Sequence, residues 1–344
     1  MLAASWYGPR DVRVEEVAEP PDPAPDEVVM RVGACGICGT DLHEYLAGPI
    51  FIPASDHRVI LGHEFSGEII AAGHTVTKVV VGDRAVGVPH RPCRGCHFCE
   101  AGNFQQCQSI EMTGITRDGA FAQYVTLRED QVVPLPGSVS DDWGALIEPL
   151  AVTFHAWRFP KVIPGSSLAV IGAGPIGLSA VLTARAVGIG PIVVVETLPE
   201  RRNRALALGA DMVVNPVEID VVSAIQDWNG GIGTDLSIEC VGLTETMQSA
   251  IDVVRPEGVT FLAGITESAG KVNFSRAVED EIEVRGCIGY FDGEFEAVIE
   301  LMANGQLDPE ALITSIIPVA DVVELGFDRL VQQRDECVKI LVRP

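Results

Sequence analysis

Four cysteines fall close together, Cys93, Cys96, Cys99 and Cys107, at spacings x2, x2 and x7. Four soft thiolates in one short lobe suit a closed tetrahedral zinc. Such a site has no open position, so it staples a loop and does no catalysis. His97 lies among them, but the four cysteines already fill the shell. Two disulfides or free thiols are the other reading. Charges arrive at Arg10 and Asp11, before any apolar run could form, so no secretory signal and a cytoplasmic location are expected. In that setting metal is favoured over disulfides.

A second constellation is dispersed. Cys38, Thr40 and His43 stand in Gly36-Ile37-Cys38-Gly39-Thr40-Asp41-Leu42-His43, His63 and Glu64 follow Gly62, and Glu148 lies in Ile147-Glu148-Pro149-Leu150. A thiolate, an imidazole and carboxylates from separate loops can make an open zinc site. Each also has an ordinary reading, His63 as a structural histidine and Glu64 as a solvated charge.

A third pattern is Gly172-Ala173-Gly174-Pro175-Ile176-Gly177. Alone, GxGxxG is weak; here it follows a predicted strand, SLAVIG, and opens a predicted helix, which is the context it needs. Gly172 permits the tight turn, Gly174 lets the backbone approach a pyrophosphate, and Gly177 lets helix and strand pack closely. The helix N-terminus turns its positive end to the phosphates. The next strand ends at Glu196, nineteen residues past Gly177. A carboxylate there binds the ribose hydroxyls and repels a 2′-phosphate, so NAD is expected and NADP less so. Arg201 and Arg202 lie just beyond and could flank the adenine or soften the choice.

The elements that must position these residues differ in texture. Residues 1–155 carry short β-like runs such as VVMRVGA, DRAVGVP and FAQYVTL, separated by turn residues. From about residue 165 strands and helices alternate, which predicts a parallel sheet with helices on both faces. From about Phe291 a helical segment leaves the sheet, and the tail packs back on the first domain. The plan expected is a discontinuous β-rich domain, residues 1–155 and 291–344, with a zinc lobe at 93–107, and a dinucleotide domain, residues 156–290, inserted into it.

The chain has 344 residues and a formal net charge of −24, which makes nucleic acid and anionic membranes poor partners. The most apolar stretch, Leu168–Ala184, is broken by glycines and a proline, so no membrane span is expected. Only Lys78, Lys161, Lys271 and Lys339 are lysines. An acidic, lysine-poor surface suits a high-salt cytoplasm, where screening suppresses carboxylate repulsion; an ordinary acidic bacterial enzyme is the alternative.

With these residues set out, the chain resembles the zinc-containing medium-chain alcohol dehydrogenases, above all their polyol branch of sorbitol, butanediol and threonine dehydrogenases. The resemblance spans nearly the whole chain. It rests on CGICGTDLH, LGHEFSGEI, the four-cysteine lobe, IEPLAVTFHA, GAGPIG and CVKIL, in the family's order. It is greatest to the butanediol dehydrogenases, through CGICGTDLHEYLAGPIFIP and DPEALITSIIP.

The resemblance implies an α/β chain: a GroES-like β-rich catalytic domain plus a Rossmann doubly wound parallel sheet. It implies one catalytic and one structural zinc. Cys38 and His63 match the motif's ligands, Glu64 matches the carboxylate beside the site, and Glu148 stands where liver-type enzymes have a second cysteine. Whether Glu64 or Glu148 binds zinc directly stays open. Cys35 is nearby, but the motif assigns ligation to Cys38. Zinc would act as a Lewis acid on the substrate oxygen. Thr40 and His43 match a proton relay to solvent; a turn hydroxyl and a surface histidine are the plainer readings. Gly264 and Ile265 resemble the loop that contacts the nicotinamide amide. Arg285 and Lys339 fall at family-like positions, where structural ion pairs explain them equally well. Tyr45, Phe51, Phe121 and Phe291 are candidates for a pocket wall or for core.

The function expected is NAD-linked oxidation of a secondary alcohol or vicinal diol of the 2,3-butanediol/acetoin type. Threonine 3-dehydrogenase and sorbitol or glucose dehydrogenase are the enzyme alternatives. A non-catalytic nucleotide-binding redox sensor is the alternative of another class, and the intact ligand set speaks against it. A homodimer or homotetramer is the family expectation.

Overall fold

The computed structural model describes residues 1–53, 58–266 and 269–344. They divide into two compact units: Met1–Glu148 with Phe291–Asn304 and Ile313–Pro344, and Pro149–Tyr290 with Gly305–Leu312.

The first unit is mainly β. Its largest sheet runs in the order Val132–Pro134, Arg84–Gly87, Glu64–Ala72, Glu27–Gly36, Lys339–Arg343, Ile313–Pro318, with Tyr124–Arg128 also pairing Glu27–Gly36. Alternation drives the long strand Glu27–Gly36: Val28, Met30, Val32 and Ala34 are buried, while Arg31 points to solvent. Phe65, Ile69, Leu127, Phe121, Phe327 and Val342 fill the same core.

Register places chemistry at one end of this sheet. Gly36 pairs with Glu64 on one side and Leu341 on the other. That brings Glu64 beside the start of Lys339–Arg343, although the two are far apart in sequence. A Cβ at position 36 would lie 2.2 Å from Oε2 of Glu64, so any larger residue there would displace the Glu64 carboxylate.

The second unit is a parallel sheet in the order Met212–Val214, Ile192–Val195, Leu168–Ile171, Thr234–Glu239, Val254–Leu262, Glu283–Gly286. LAVI and IVVV are buried along their whole length, so they read as unbroken apolar runs. The chain first adds strands on one side of Leu168–Ile171 and then on the other. This order creates a switch point at the C-terminal end of Leu168–Ile171, where doubly wound sheets hold their ligands. No helix among the described residues is long and apolar enough to cross a membrane.

Candidate metal and dinucleotide sites

Strand Glu27–Gly36 runs into helix Gly39–Ala47, and Cys38 is the N-cap. Asp41, three residues on, reaches back to accept the Cys38 amide at 2.9 Å, one half of a capping box. The other oxygen of Asp41 lies 3.5 Å from Nδ1 of His63, with both side chains almost wholly buried. Neither atom has a hydrogen-bond partner, so this contact is one of charge.

Ligand atoms of Cys38, His63 and Glu64 lie within 4.8 Å of one another and could hold a metal ion. Burial opposes a charge on the imidazole of His63, but Asp41 and Cys38 outweigh it and raise its pKa well above 6.5. The pocket is therefore negative enough to favour a cation. Glu148 is not among those three residues. Burial, with Glu64 nearby, pushes its carboxyl up to about 7. Cys35 is fully buried, and burial, then Asp41 and Glu64, push its thiol well up, away from the thiolate a metal needs.

Glu64 has a partner of its own. Nζ of Lys339 donates to both its oxygens at 2.8 and 2.7 Å, and to the carbonyl of Ile37 at 3.1 Å. Burial opposes the ammonium charge, but Glu64 outweighs it and holds Lys339 above its ordinary value. Thr40 and His43 sit one helical turn apart, both partly exposed, with Oγ1 of Thr40 3.8 Å from Sγ of Cys38. Tyr45 and Phe121 are core residues: Tyr45 stacks on Phe327 and donates to Asp328, and Phe121 meets Phe327 edge-on. Phe51 is 38% exposed and Phe291 partly so.

In the lobe, Cys96 lies 3.6 Å from Cys99 and 3.9 Å from Cys107, and Cys93 lies 3.9 Å from Cys99, sulfur to sulfur. A disulfide would need about 2.05 Å. A tetrahedron with metal–sulfur bonds of about 2.3 Å has edges of about 3.8 Å, so the four sulfurs fit a zinc. Backbone N–H groups of Cys99 and Gln108 lower the Cys96 thiol to about 6, while burial pushes Cys99 up to about 12. Held as four thiolates, they would need a cation among them. His97 is exposed.

In the second unit Gly172 has φ +95°, and a Cβ on Gly177 would fall 1.8 Å from the Gly172 carbonyl. Neither position accepts a side chain. A Cβ on Gly174 would meet nothing nearer than Nη1 of Arg201 at 3.7 Å, so the backbone there is open to a phosphate. Helix Pro175–Ala186 begins at the next residue, with Pro175 in its first turn. Glu196 is buried: Oε2 accepts the Ala173 amide at 2.8 Å, and Oε1 accepts the Leu198 amide at 2.9 Å and the Thr197 hydroxyl at 3.1 Å. Arg202 donates to the carbonyls of Glu196 and Thr197 at 2.9 and 2.6 Å. Arg285 lies over the Phe159 ring at 3.9 Å. Gly264 and Ile265 follow strand Val254–Leu262 closely, and Ile265 is 48% exposed.

Residues 24–137 match the family model described as the alcohol dehydrogenase GroES-like domain, and residues 175–304 match that described as zinc-binding dehydrogenase. The (R,R)-butanediol dehydrogenase of Bacillus subtilis (strain 168) is 38% identical, over 100% of both chains. The chain belongs to the zinc-type medium-chain alcohol dehydrogenase family. It is an oxidoreductase, with the GroES-like and Rossmann-type folds of that family. A sorbitol dehydrogenase of Bacillus subtilis (strain 168) is 35% identical, covering 100% of this chain and 97% of its own. The crystal structure of 2R,3R-butanediol dehydrogenase from Bacillus subtilis aligns with TM-score 0.93 at 37% identity, covering 100% of this chain and 99% of that one.

Within this dehydrogenase, the first unit gathers Cys38, His63 and Glu64, and the second holds the glycine turn and Glu196. Sequence reasoning missed Asp41 as the carboxylate beside His63. Its signal was the spacing Cys38-x-x-Asp41 at a helix start. It also left the partner of Lys339 unnamed, and no local pattern could have supplied it.

Proposed function

We propose that the dehydrogenase oxidises a secondary alcohol or vicinal diol of the 2,3-butanediol type to the ketone, with NAD as hydride acceptor. The observation that carries this reading is the ligand cluster Cys38, His63 and Glu64, in a chain 38% identical to a butanediol dehydrogenase. Cys38, His63 and a carboxylate, Glu64 or Glu148, would hold the catalytic zinc, and the four lobe cysteines would hold a structural one. Zinc, when bound, polarises the substrate oxygen and eases loss of its proton.

The chain's own residues do the rest. Asp41 holds the imidazole of His63 in orientation. Lys339 keeps Glu64 in place and balances its charge. Thr40 takes the hydroxyl proton and His43 passes it to solvent. The glycine turn and the start of helix Pro175–Ala186 bind the pyrophosphate, and Gly264 and Ile265 hold the nicotinamide. NAD⁺, when bound there, would supply the acceptor for the hydride of the carbinol carbon, so that one alcohol and one NAD⁺ would give one ketone, one NADH and one proton.

Glu196 sets the cofactor choice. Its oxygens are already fixed by two amides and a hydroxyl, so it cannot swing away from a 2′-phosphate. kcat/KM for NAD is expected to exceed that for NADP by about a hundredfold, roughly 2.7 kcal/mol. Glu196→Gln removes the charge; it keeps an acceptor for Leu198 but sets an NH2 against the Ala173 amide, a cost both cofactors share, so the ratio narrows to about tenfold or less. Steady-state rates with both cofactors check this; a ratio unchanged in the variant means that Glu196 does not discriminate.

A homodimer or homotetramer in the cytoplasm is part of the proposal. Strand Glu283–Gly286 supports it, since it pairs on one side only among the described residues and offers an open edge.

Oxidation of 2,3-butanediol, sorbitol, glucose and L-threonine should be compared side by side in high salt. The diol is expected to show the highest kcat/KM. Sorbitol is the second reading, favoured by the 35% identical sorbitol dehydrogenase. A higher value for any sugar, polyol or amino acid keeps the chemistry and moves the substrate.

A further inference from the structure

A buried carboxyl outside the chemistry described above stands at the end of strand Thr234–Glu239. Glu239 is 0% exposed. Its Oε1 accepts from the amides of Val241 and Gly242 at 2.8 Å each, and from the Thr246 hydroxyl at 2.7 Å. Its Oε2, also buried, has no hydrogen-bond partner among the described residues. Its main-chain carbonyl accepts the amides of Ala263 and Gly264 at 2.9 and 3.0 Å. One residue thus ties together two loops, the one after its own strand and the one after Val254–Leu262.

The first loop stands beside the glycine turn, and the second packs against the first. A Cβ on Gly172 would lie 2.4 Å from Cγ2 of Val241, and one on Gly242 would lie 2.3 Å from the carbonyl of Ile265. Val241, Leu243 and Ile265 are 43%, 55% and 48% exposed, an apolar cluster with nothing over it among the described residues. On the far side of the carboxyl, a Cβ on Gly264 would lie 2.4 Å from Oε2 of Glu239. The same Cβ would lie 2.3 Å from the Gly242 amide nitrogen, so a glycine there lets the second loop close down on both the first loop and the carboxyl. A buried oxygen without a donor is costly and persists where its surroundings hold it for another purpose.

We propose that Glu239 is a positioning residue for the dinucleotide. Its carboxyl locks the loops that carry Val241 and Ile265 at a fixed height above the glycine turn, so that their apolar side chains cover the bound cofactor. The inference rests on the reading that this unit binds NAD. Glu239 belongs to the unit that carries the glycine turn, and Cys38, His63 and Glu64 to the other, so its effect falls on cofactor affinity. Pre-formed loops spare the cofactor the cost of ordering them.

The test uses the full-length, zinc-loaded protein and the variants Glu239→Ala, Glu239→Gln, Gly264→Ala and Thr246→Val. The readouts are the NADH dissociation constant by fluorescence titration, KM for NAD, KM for the alcohol, kcat and the melting temperature. Glu239→Ala is expected to raise the NADH dissociation constant and KM for NAD by about tenfold, with kcat at saturating cofactor within about twofold. Glu239→Gln keeps an acceptor for all three donors and is expected to stay within about threefold of the parent. Gly264→Ala, which drives a methyl against both the Gly242 amide and the carboxyl, is expected to weaken NADH binding as Glu239→Ala does; if Glu239→Ala fails to fold, Thr246→Val, which removes one donor to Oε1, decides the matter by raising the NADH dissociation constant about threefold or leaving it unchanged. If the parent binds NADH while Glu239→Ala and Gly264→Ala bind it equally well, the inference is overturned, even where the melting temperature falls. Equal rises in KM for NAD and alcohol, with no rescue by Glu239→Gln, overturn it too. A parent that binds neither NADH nor NADPH overturns the cofactor reading and this inference with it.

Discussion

Replacing Cys38 by serine is expected to abolish alcohol oxidation while leaving cofactor binding intact. A serine hydroxyl is neither soft nor ionised at neutral pH, so it cannot replace a thiolate ligand. Of the three residues whose ligand atoms could hold a metal ion, only His63 and Glu64 would be left. Lewis-acid assistance supplies several kcal/mol of the barrier reduction, so kcat is expected to fall on the order of a thousandfold. The glycine turn belongs to the other unit, so the NADH dissociation constant should move by less than about twofold, well under 1.4 kcal/mol. The lobe sulfurs are untouched, so metal analysis should show half the parent's zinc. Full turnover by Cys38→Ser would remove the proposed zinc chemistry.

Lys339→Met is expected to cost the most stability of any single change near the metal cluster. Lys339 and Glu64 have side chains 3% and 1% exposed and meet at 2.7 Å. Removing one member of such a pair leaves a buried charge uncompensated, at a cost of about 3–5 kcal/mol. The zinc-loaded protein should fall near the lower end, because the bound cation also faces Glu64. Methionine fills most of the lost volume, so the effect reports charge more than cavity. The variant also loses the donor to the Ile37 carbonyl, next to Cys38, so kcat should fall as well. Denaturant titration checks the first effect. The double variant Glu64→Gln/Lys339→Met should recover much of the loss, because it leaves no unpaired charge. Additive losses in the double variant would mean that the pair is not coupled.

The readability of this molecule follows the range of its interactions. The glycine turn is local: the positive φ of Gly172 and the approach of Gly177 to the Gly172 carbonyl fall within six residues of chain, so strand, turn and helix can be read together. The cysteine lobe is equally local, and its sulfurs stand at tetrahedral spacing. Cys38 stands at the start of a helix, and His63 and Glu64 at the start of a strand; without the family's motifs each would pass as an ordinary thiol, histidine or surface charge. What brings them together is strand register, Gly36 against Glu64, which no periodicity encodes. Lys339 lies 275 residues from Glu64, and a lone lysine before an apolar run looks like a solvated strand end. Glu239 is hidden for a similar reason. A glutamate closing a strand in TDLSIE normally marks the edge of the core, yet here it is wholly buried. Tyr45 and Phe121 show the reverse: aromatic residues near a motif suggest a pocket, and packing claims them for the core.

The central claim is that the cluster at Cys38 and His63 binds zinc and that this zinc is needed for NAD-linked alcohol oxidation. The most direct measurement is NADH formation from NAD and 2,3-butanediol, followed in the intact protein, after dialysis against a chelator, and after zinc is restored. The account predicts turnover in the first state, none in the second, and recovery in proportion to the zinc taken up. Turnover that survives removal of all zinc would contradict it.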